Sequence, residues 1–88
     1  MENYTVYIIF SAKTKKFYVG QTNNFENRLE RHNKGLVKST KTGLPWVLVH
    51  NIPTSSRSEA IILETKIKNR GISRFLADNS IKFDIIEV

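Results

Sequence analysis

Two tyrosines sit at matching places in two short apolar runs. The first run, Tyr4 to Phe10, reads Tyr-Thr-Val-Tyr-Ile-Ile-Phe with Tyr7 near its middle. The second is Phe17-Tyr18-Val19-Gly20. Leucine or valine would fill a core equally well, so two phenols there invite a chemical reading. A free phenol has a pKa near 10 and becomes a base at neutral pH only with cations beside it. Arg28 and His32 stand one helical turn apart, at the edge of an apolar stripe formed by Phe25, Leu29 and His32 itself. Glu64 falls within the apolar arc of a second helix, between Ala60 and Ile61 on the wheel. A carboxylate on a buried face is costly unless it is paired or binds a cation. For Glu64 a salt bridge to Arg28 or to a lysine is the competing reading.

These groups need elements to position them. Residues 4–10 and 17–21 read as strands, rich in aromatic and β-branched residues, joined across a Lys-rich turn as a hairpin. Asn23 or Asn24 can cap a helix that runs to about Asn33, with Gly35 as its stop. Residues 34–45 have loop composition. Trp46 to Ile52 reads as a third strand, nearly continuously apolar, which predicts a central or well-protected position. Ser56-Arg-Ser-Glu59 fits a capping box opening a helix to about Arg70, which Gly71 closes. On its wheel Ala60, Ile61, Leu63 and Ile67 form the apolar arc. Ser73 to Asn79 reads as a short third helix capped by Ser73. Residues 80–88 read as a tail or an edge strand. Trp46 is expected in the core, and Tyr4 is expected to pack with Phe10, Phe17 and Phe25.

The composition bounds the function classes. Eighty-eight residues make a single domain, 1–88, burying roughly 60% of its unfolded surface. The chain has no cysteine, which excludes disulfides and thiolate metal sites and suits a cytoplasmic protein. Met-Glu-Asn lacks the basic start of a signal peptide, and the apolar run after it is too short to span a bilayer. No membrane partner is expected. Fourteen Lys and Arg against 8 Asp and Glu give a net charge of +6, which favours a polyanionic partner, nucleic acid first. Arg28, Arg31, Lys34, Lys38 and Lys41 are interrupted by one acid, Glu30, and interleaved with Ser39, Thr40 and Thr42. Hydroxyls among cations suit phosphate contacts, although a solvated loop has the same composition. No phosphate-binding glycine loop or dinucleotide fingerprint is present, so no small-molecule cofactor is expected. His32 and His50 lack metal-ligand spacing on one helix.

The ordered set resembles the GIY-YIG nuclease family. Val6-Tyr7-Ile8 and Tyr18-Val19-Gly20 stand where that family has its naming motif. After them come Gln-Thr-Asn-Asn, the helix with Arg28 and His32, the Ser-Thr-Lys loop, Pro-Trp at the start of a strand, and the Ser-Glu-Ala helix with Glu64. The resemblance covers about residues 4–77 and is strongest to small stand-alone members, similar to the excision-repair incision-subunit nuclease module. Val6 departs from the motif, which has glycine there.

The resemblance implies an α+β fold, a small three-stranded antiparallel sheet with three helices in the order β-β-α-β-α-α. It implies hydrolysis of DNA phosphodiesters with Mg²⁺ or Mn²⁺. Tyr7 would be the general base or proton relay, and Tyr18 would position water or substrate. Arg28 would hold the scissile phosphate, His32 would assist proton transfer, and Glu64 would hold the metal. Arg31, Lys34, Lys38 and Lys41 would line the DNA, with neither Lys38 nor Lys41 singled out. A monomer is expected when free. The alternative is a catalytically silent basic module that only binds nucleic acid.

Overall fold

The computed structural model describes residues 3–81. Strands β1 (Tyr4–Ser11) and β2 (Lys16–Thr22) are followed by helix α1 (Phe25–Asn33), strand β3 (Trp46–Thr54) and helices α2 (Arg57–Arg70) and α3 (Ile72–Asp78). The strands pair antiparallel in the order β2-β1-β3. The fold is therefore α+β with the expected β-β-α-β-α-α order. The segment expected as a tail or edge strand lies, from residue 82 onward, outside the described residues.

β1 is the central strand, and its sequence serves two cores. Successive side chains of a strand point to opposite faces. Val6 and Ile8 join Val19, Ala60, Ile67 and Leu76 beneath α2 and α3. Tyr7 and Ile9 join Trp46 on the other face, packed by Tyr18, Phe25, Leu29 and Leu44. Burial of each large apolar side chain is worth roughly 1.5–3 kcal/mol, so β1 anchors both layers. Alternation thus turns Tyr7 toward α1, the helix that carries Arg28 and His32.

β3 is an edge strand, not the central or well-protected one that its apolar run predicts. Val47 and Leu48 are 52% and 41% exposed. An apolar run reads alike whether both its faces are covered or only some of its positions are. Here Trp46 enters one core while Val49 and Ile52 pack against the other. A register shift between Ile8 and Ile9 breaks the β1–β3 ladder, a common way of twisting an edge out of reach of other strands.

The helix ends follow from local chemistry. Asn24 Oδ1 accepts the Asn27 N–H at 3.1 Å and caps α1. Gly35 takes φ +73°, and the Gly35 and Leu36 N–H groups return to His32 O and Arg31 O, a Schellman stop. Ser56 Oγ accepts the Glu59 N–H and caps α2. The Glu59 carboxylate accepts from Ser55, one residue earlier than a strict capping box requires. Ile61, expected in the apolar arc of α2, is 41% exposed, because the covered stripe runs along Ala60, Leu63, Glu64 and Ile67. Ser73 is not the cap of α3. Gly71 at φ +93° ends α2 and starts α3 in one residue, and Ser73 lies inside the helix. The Arg70–Asp78 pair at 2.7 Å clips the two helices together. The expected aromatic cluster also separates. Tyr4 and Phe17 both pack against the α2–α3 core and Phe10 lies tilted against Phe17 with ring centroids 4.8 Å apart, while Phe25 alone lies on the opposite face against Tyr7. Among the described residues no helix is long and apolar enough to cross a membrane.

Candidate active site

A chain of buried hydrogen bonds runs from β1 through α1 to the connection before β3. Tyr7 Oη and His32 Nε2 are 3.0 Å apart, and His32 Nδ1 lies 2.7 Å from Thr40 Oγ1. Tyr7 and His32 are fully buried, and Thr40 is nearly so. The directions follow from proton counting. Thr40 has one hydroxyl proton, which it donates to Val37 O at 3.3 Å. Thr40 Oγ1 therefore accepts from His32 Nδ1–H, leaving the Nε2 lone pair to accept the phenol proton of Tyr7. This assigns the imidazole tautomer and gives every polar atom of the chain a partner. Burial, helped by the nearby Arg28 charge, holds the His32 pKa below its ordinary 6.5, so the ring stays neutral.

Local structure places Thr40. Residues 34–45, expected as a loop, contain a 3-10 turn over Lys38–Gly43. Trp46 anchors it by donating its indole N–H to Thr40 O at 2.7 Å. Asn33 ties the end of α1 to the start of β3, accepting the Trp46 N–H at 2.7 Å and donating to Trp46 O at 3.2 Å. Tyr18 lies edge-on to His32, with ring centroids 5.1 Å apart, and 6.3 Å from Tyr7. It is half-buried, so its ring borders the chain without joining it.

Burial pushes the Tyr7 phenol well above the ordinary range, and the neighbouring Tyr18 adds to that. The charge and hydrogen bonding of Arg28 pull it down, by less. Glu64 raises it slightly, which places the carboxylate within electrostatic reach of the phenol, though it is the smallest of these influences. Unassisted, Tyr7 is a neutral phenol whose proton already points at a base.

The Glu64 side chain is 20% exposed and faces Lys68 at 3.8 Å, a loose pair that leaves its oxygens open to another cation. Among the described residues no three His, Cys, Asp or Glu side chains converge on a point. Such a donor set fits Mg²⁺, which keeps several waters and often takes one or two carboxylates plus substrate phosphate.

Tyr7, Tyr18, Arg28 and His32 are thus brought together, with Glu64 at their margin. Arg31, Lys34, Lys38 and Lys41 are exposed outside this group, and Lys34 pairs with Glu30 at 2.7 Å. The sequence reading missed the positioning roles of Thr40, Asn33 and Gly20, and Thr40, grouped there with hydroxyls suited to phosphate contact, is instead buried against His32. Gly20 pairs with Tyr7 in the β1–β2 ladder. A Cβ on Gly20 would lie 2.5 Å from Tyr7 Oη and 2.7 Å from Cζ. A glycine inside a strand marks such a close approach, and that signal was present in the second apolar run.

Comparison with known proteins agrees with this architecture. The profile of the GIY-YIG catalytic domain matches residues 3–75. The chain is 44% identical over 69 residues to the UPF0213 protein SH2523 of Staphylococcus haemolyticus, covering 77% of this chain and 83% of that one. It is 34% identical over 71 residues to the UPF0213 protein YsiG of Lactococcus lactis, covering 80% and 67%. The solution structure of the UPF0213 protein BH0048 from Bacillus halodurans aligns with a TM-score of 0.56 at 28% identity, over 91% of this chain and 85% of that chain. The hairpin with its two tyrosines, the three-stranded sheet and the helices around it have one common explanation: the chain belongs to the GIY-YIG catalytic domain family, a family of nucleases.

Proposed function

We infer that this protein is a metal-dependent endonuclease that hydrolyses DNA phosphodiester bonds at the Tyr7 site. The observation that carries this reading is the Tyr7–His32–Thr40 chain, a neutral phenol aimed at a neutral, oriented imidazole. A phenol with a raised pKa is a poor base alone. It can still relay a proton, accepting one from the attacking water as it passes its own to His32 Nε2. Thr40 keeps the imidazole in the tautomer that can receive it. Tyr7 carries no exposed surface, so water reaches Oη only after a neighbouring group moves, and Arg28, which interacts with the phenol, is the group that a substrate phosphate would draw away. Arg28 then fixes the phosphate in line with that water, Tyr18 borders the space, and Glu64 holds Mg²⁺ or Mn²⁺. The cation, when bound, supplies charge neutralisation at the departing oxygen. Lys38 and Lys41, on the turn that carries Thr40, and Arg31 and Lys34 on the α1 side meet the flanking backbone.

Supercoiled plasmid and single-stranded DNA incubated with Mg²⁺ or Mn²⁺ test the reading. Nicking is expected with metal and none with chelator, while the melting temperature stays the same in both because no protein cage is lost. Glu64→Gln should need more metal for half its maximal rate. Cleavage that persists in chelator would sink the mechanism. Full burial of Tyr7 favours the alternative, a silent binding module. That alternative is established if the strand binds in a salt-sensitive way and no divalent metal supports cleavage.

The rate should also carry the signature of His32. Its pKa lies below 6.5, so the imidazole remains an acceptor throughout the neutral range. On acidification the ring is protonated and the relay is lost. The profile of kcat/KM is therefore expected to have its acid midpoint below pH 6.5 and to fall at more acid pH towards about tenfold per pH unit. An acid limb already falling above pH 7 would show that another group controls the reaction.

A further inference from the structure

Beside the tyrosine site lies a cleft of about 180 Å³, lined by Tyr4, Gln21, Thr22, Asn23, Arg28 and Arg57. Pockets for whole small molecules run from roughly 300 Å³ upward, so this one suits a group of phosphodiester size. Two of its walls are guanidiniums and none is a carboxylate. Three cations of the surface have acidic partners: Lys34 has Glu30, Lys68 has Glu64 and Arg70 has Asp78. Among the described residues no ion pair engages Arg28 or Arg57. Arg57 is exposed and opens α2, where free backbone N–H groups and the helix dipole also favour an anion. Glu59, the acid of that first turn, is occupied by the N–H and hydroxyl of Ser55.

The geometry points to a second phosphate subsite: the cleft takes the phosphodiester neighbouring the one held at Tyr7, with Arg57 as its own ligand and Arg28 shared between the two. This rests on the nuclease reading above. Arg28 can be shared because it lines the cleft and acts on Tyr7 as well. A guanidinium matches phosphate with a planar fork of donors, which fixes orientation as well as charge. Arg57 is a positioning residue in this scheme. It anchors the strand and does not touch the reacting atoms.

Fluorescence anisotropy with a labelled single-stranded DNA in chelator reads binding without cleavage. Arg57→Ala is expected to weaken binding about tenfold and to lower the slope of log affinity on log salt by about 0.7, the value of one phosphate contact on a single strand. Arg57→Lys should restore part of the affinity and most of the slope. Neutralising the phosphates one at a time as methylphosphonates should find one position that costs the wild type the same factor and costs Arg57→Ala nothing more. Unchanged affinity and slope, or losses that add at every position, would overturn the subsite, as would a wild type that binds no strand at low salt. Failure of the nuclease reading shows separately, as a wild type that binds DNA and leaves it uncut when Mg²⁺ or Mn²⁺ is added. The Arg57 binding result then still decides the subsite.

Discussion

Tyr7→Phe is expected to slow DNA cleavage about a thousandfold, within the range of a lost general acid–base step, while affinity for the strand is unchanged. The phenylalanine keeps the ring that packs against Phe25 and Tyr18. It removes only Oη, and with it the path from water to His32 Nε2. The substitution also leaves that nitrogen buried without its partner, at a cost of about 1–3 kcal/mol. For a domain of this size each kcal/mol lowers the melting temperature by about 4–8 °C. Rates must therefore be compared below the melting point of the variant, followed by circular dichroism. The relay makes a sharper claim than loss of rate. If Tyr7 and His32 act as one unit, the double variant Tyr7→Phe/His32→Gln should cleave no more slowly than Tyr7→Phe alone. Losses that multiply would mean that the two side chains act on separate steps. Cleavage at the wild-type rate by Tyr7→Phe would remove the phenol from the chemistry altogether.

The parts of this protein that were legible in its sequence are those fixed by local chemistry. The two tyrosine-bearing strands, the Asn24 cap, the Gly35 stop and the Ser56 cap each depend on a few consecutive residues, and each stands where those residues imply. Arg28, His32 and Glu64 could be placed on helix faces by periodicity alone. What was not legible is what depends on contacts between elements. The apolar run of β3 looks like that of a central strand because hydropathy records side-chain type and not what covers it. Ser73 looks like a cap because nothing local shows that Gly71 joins two helices without a linker. Thr40 sits in a stretch of Lys, Ser and Thr that reads as solvated loop. Its importance comes from the Trp46 indole and the Asn33 amide, which fold that stretch against α1. Two of the three links in the relay could be suspected from sequence, and the third needed the tertiary fold.

Gly20→Ala is expected to lower kcat about a hundredfold or more, although it adds one methyl group to a residue with no chemistry of its own. The methyl would lie 2.5 Å from Tyr7 Oη, 2.7 Å from Cζ and 3.1 Å from Cε1. All three atoms belong to a rigid ring, so no flexible chain end can swing away. Gly20 and Tyr7 are also paired in the ladder, so their backbones cannot easily part. Something must move by a good fraction of an ångström, and the ring is held by packing, by its 3.0 Å hydrogen bond to His32 and by Arg28 at the phenol oxygen. Overpacking of this kind costs about 1–3 kcal/mol, so some fall in stability is expected as well. Gly35→Ala separates the two effects. Gly35 has φ +73°, where a side chain costs roughly 1–2 kcal/mol, but its nearest neighbours are Leu44 and Lys41 at 3.5 and 3.7 Å. Both variants should lose comparable stability in thermal melts, and only Gly20→Ala should lose kcat. Equal activity in the two would mean that the position of the Tyr7 ring is not critical. A loss in Gly20→Ala alone would explain why a strand that could hold alanine or valine holds glycine opposite Tyr7: the phenol reaches His32 by lying across a stretch of bare backbone.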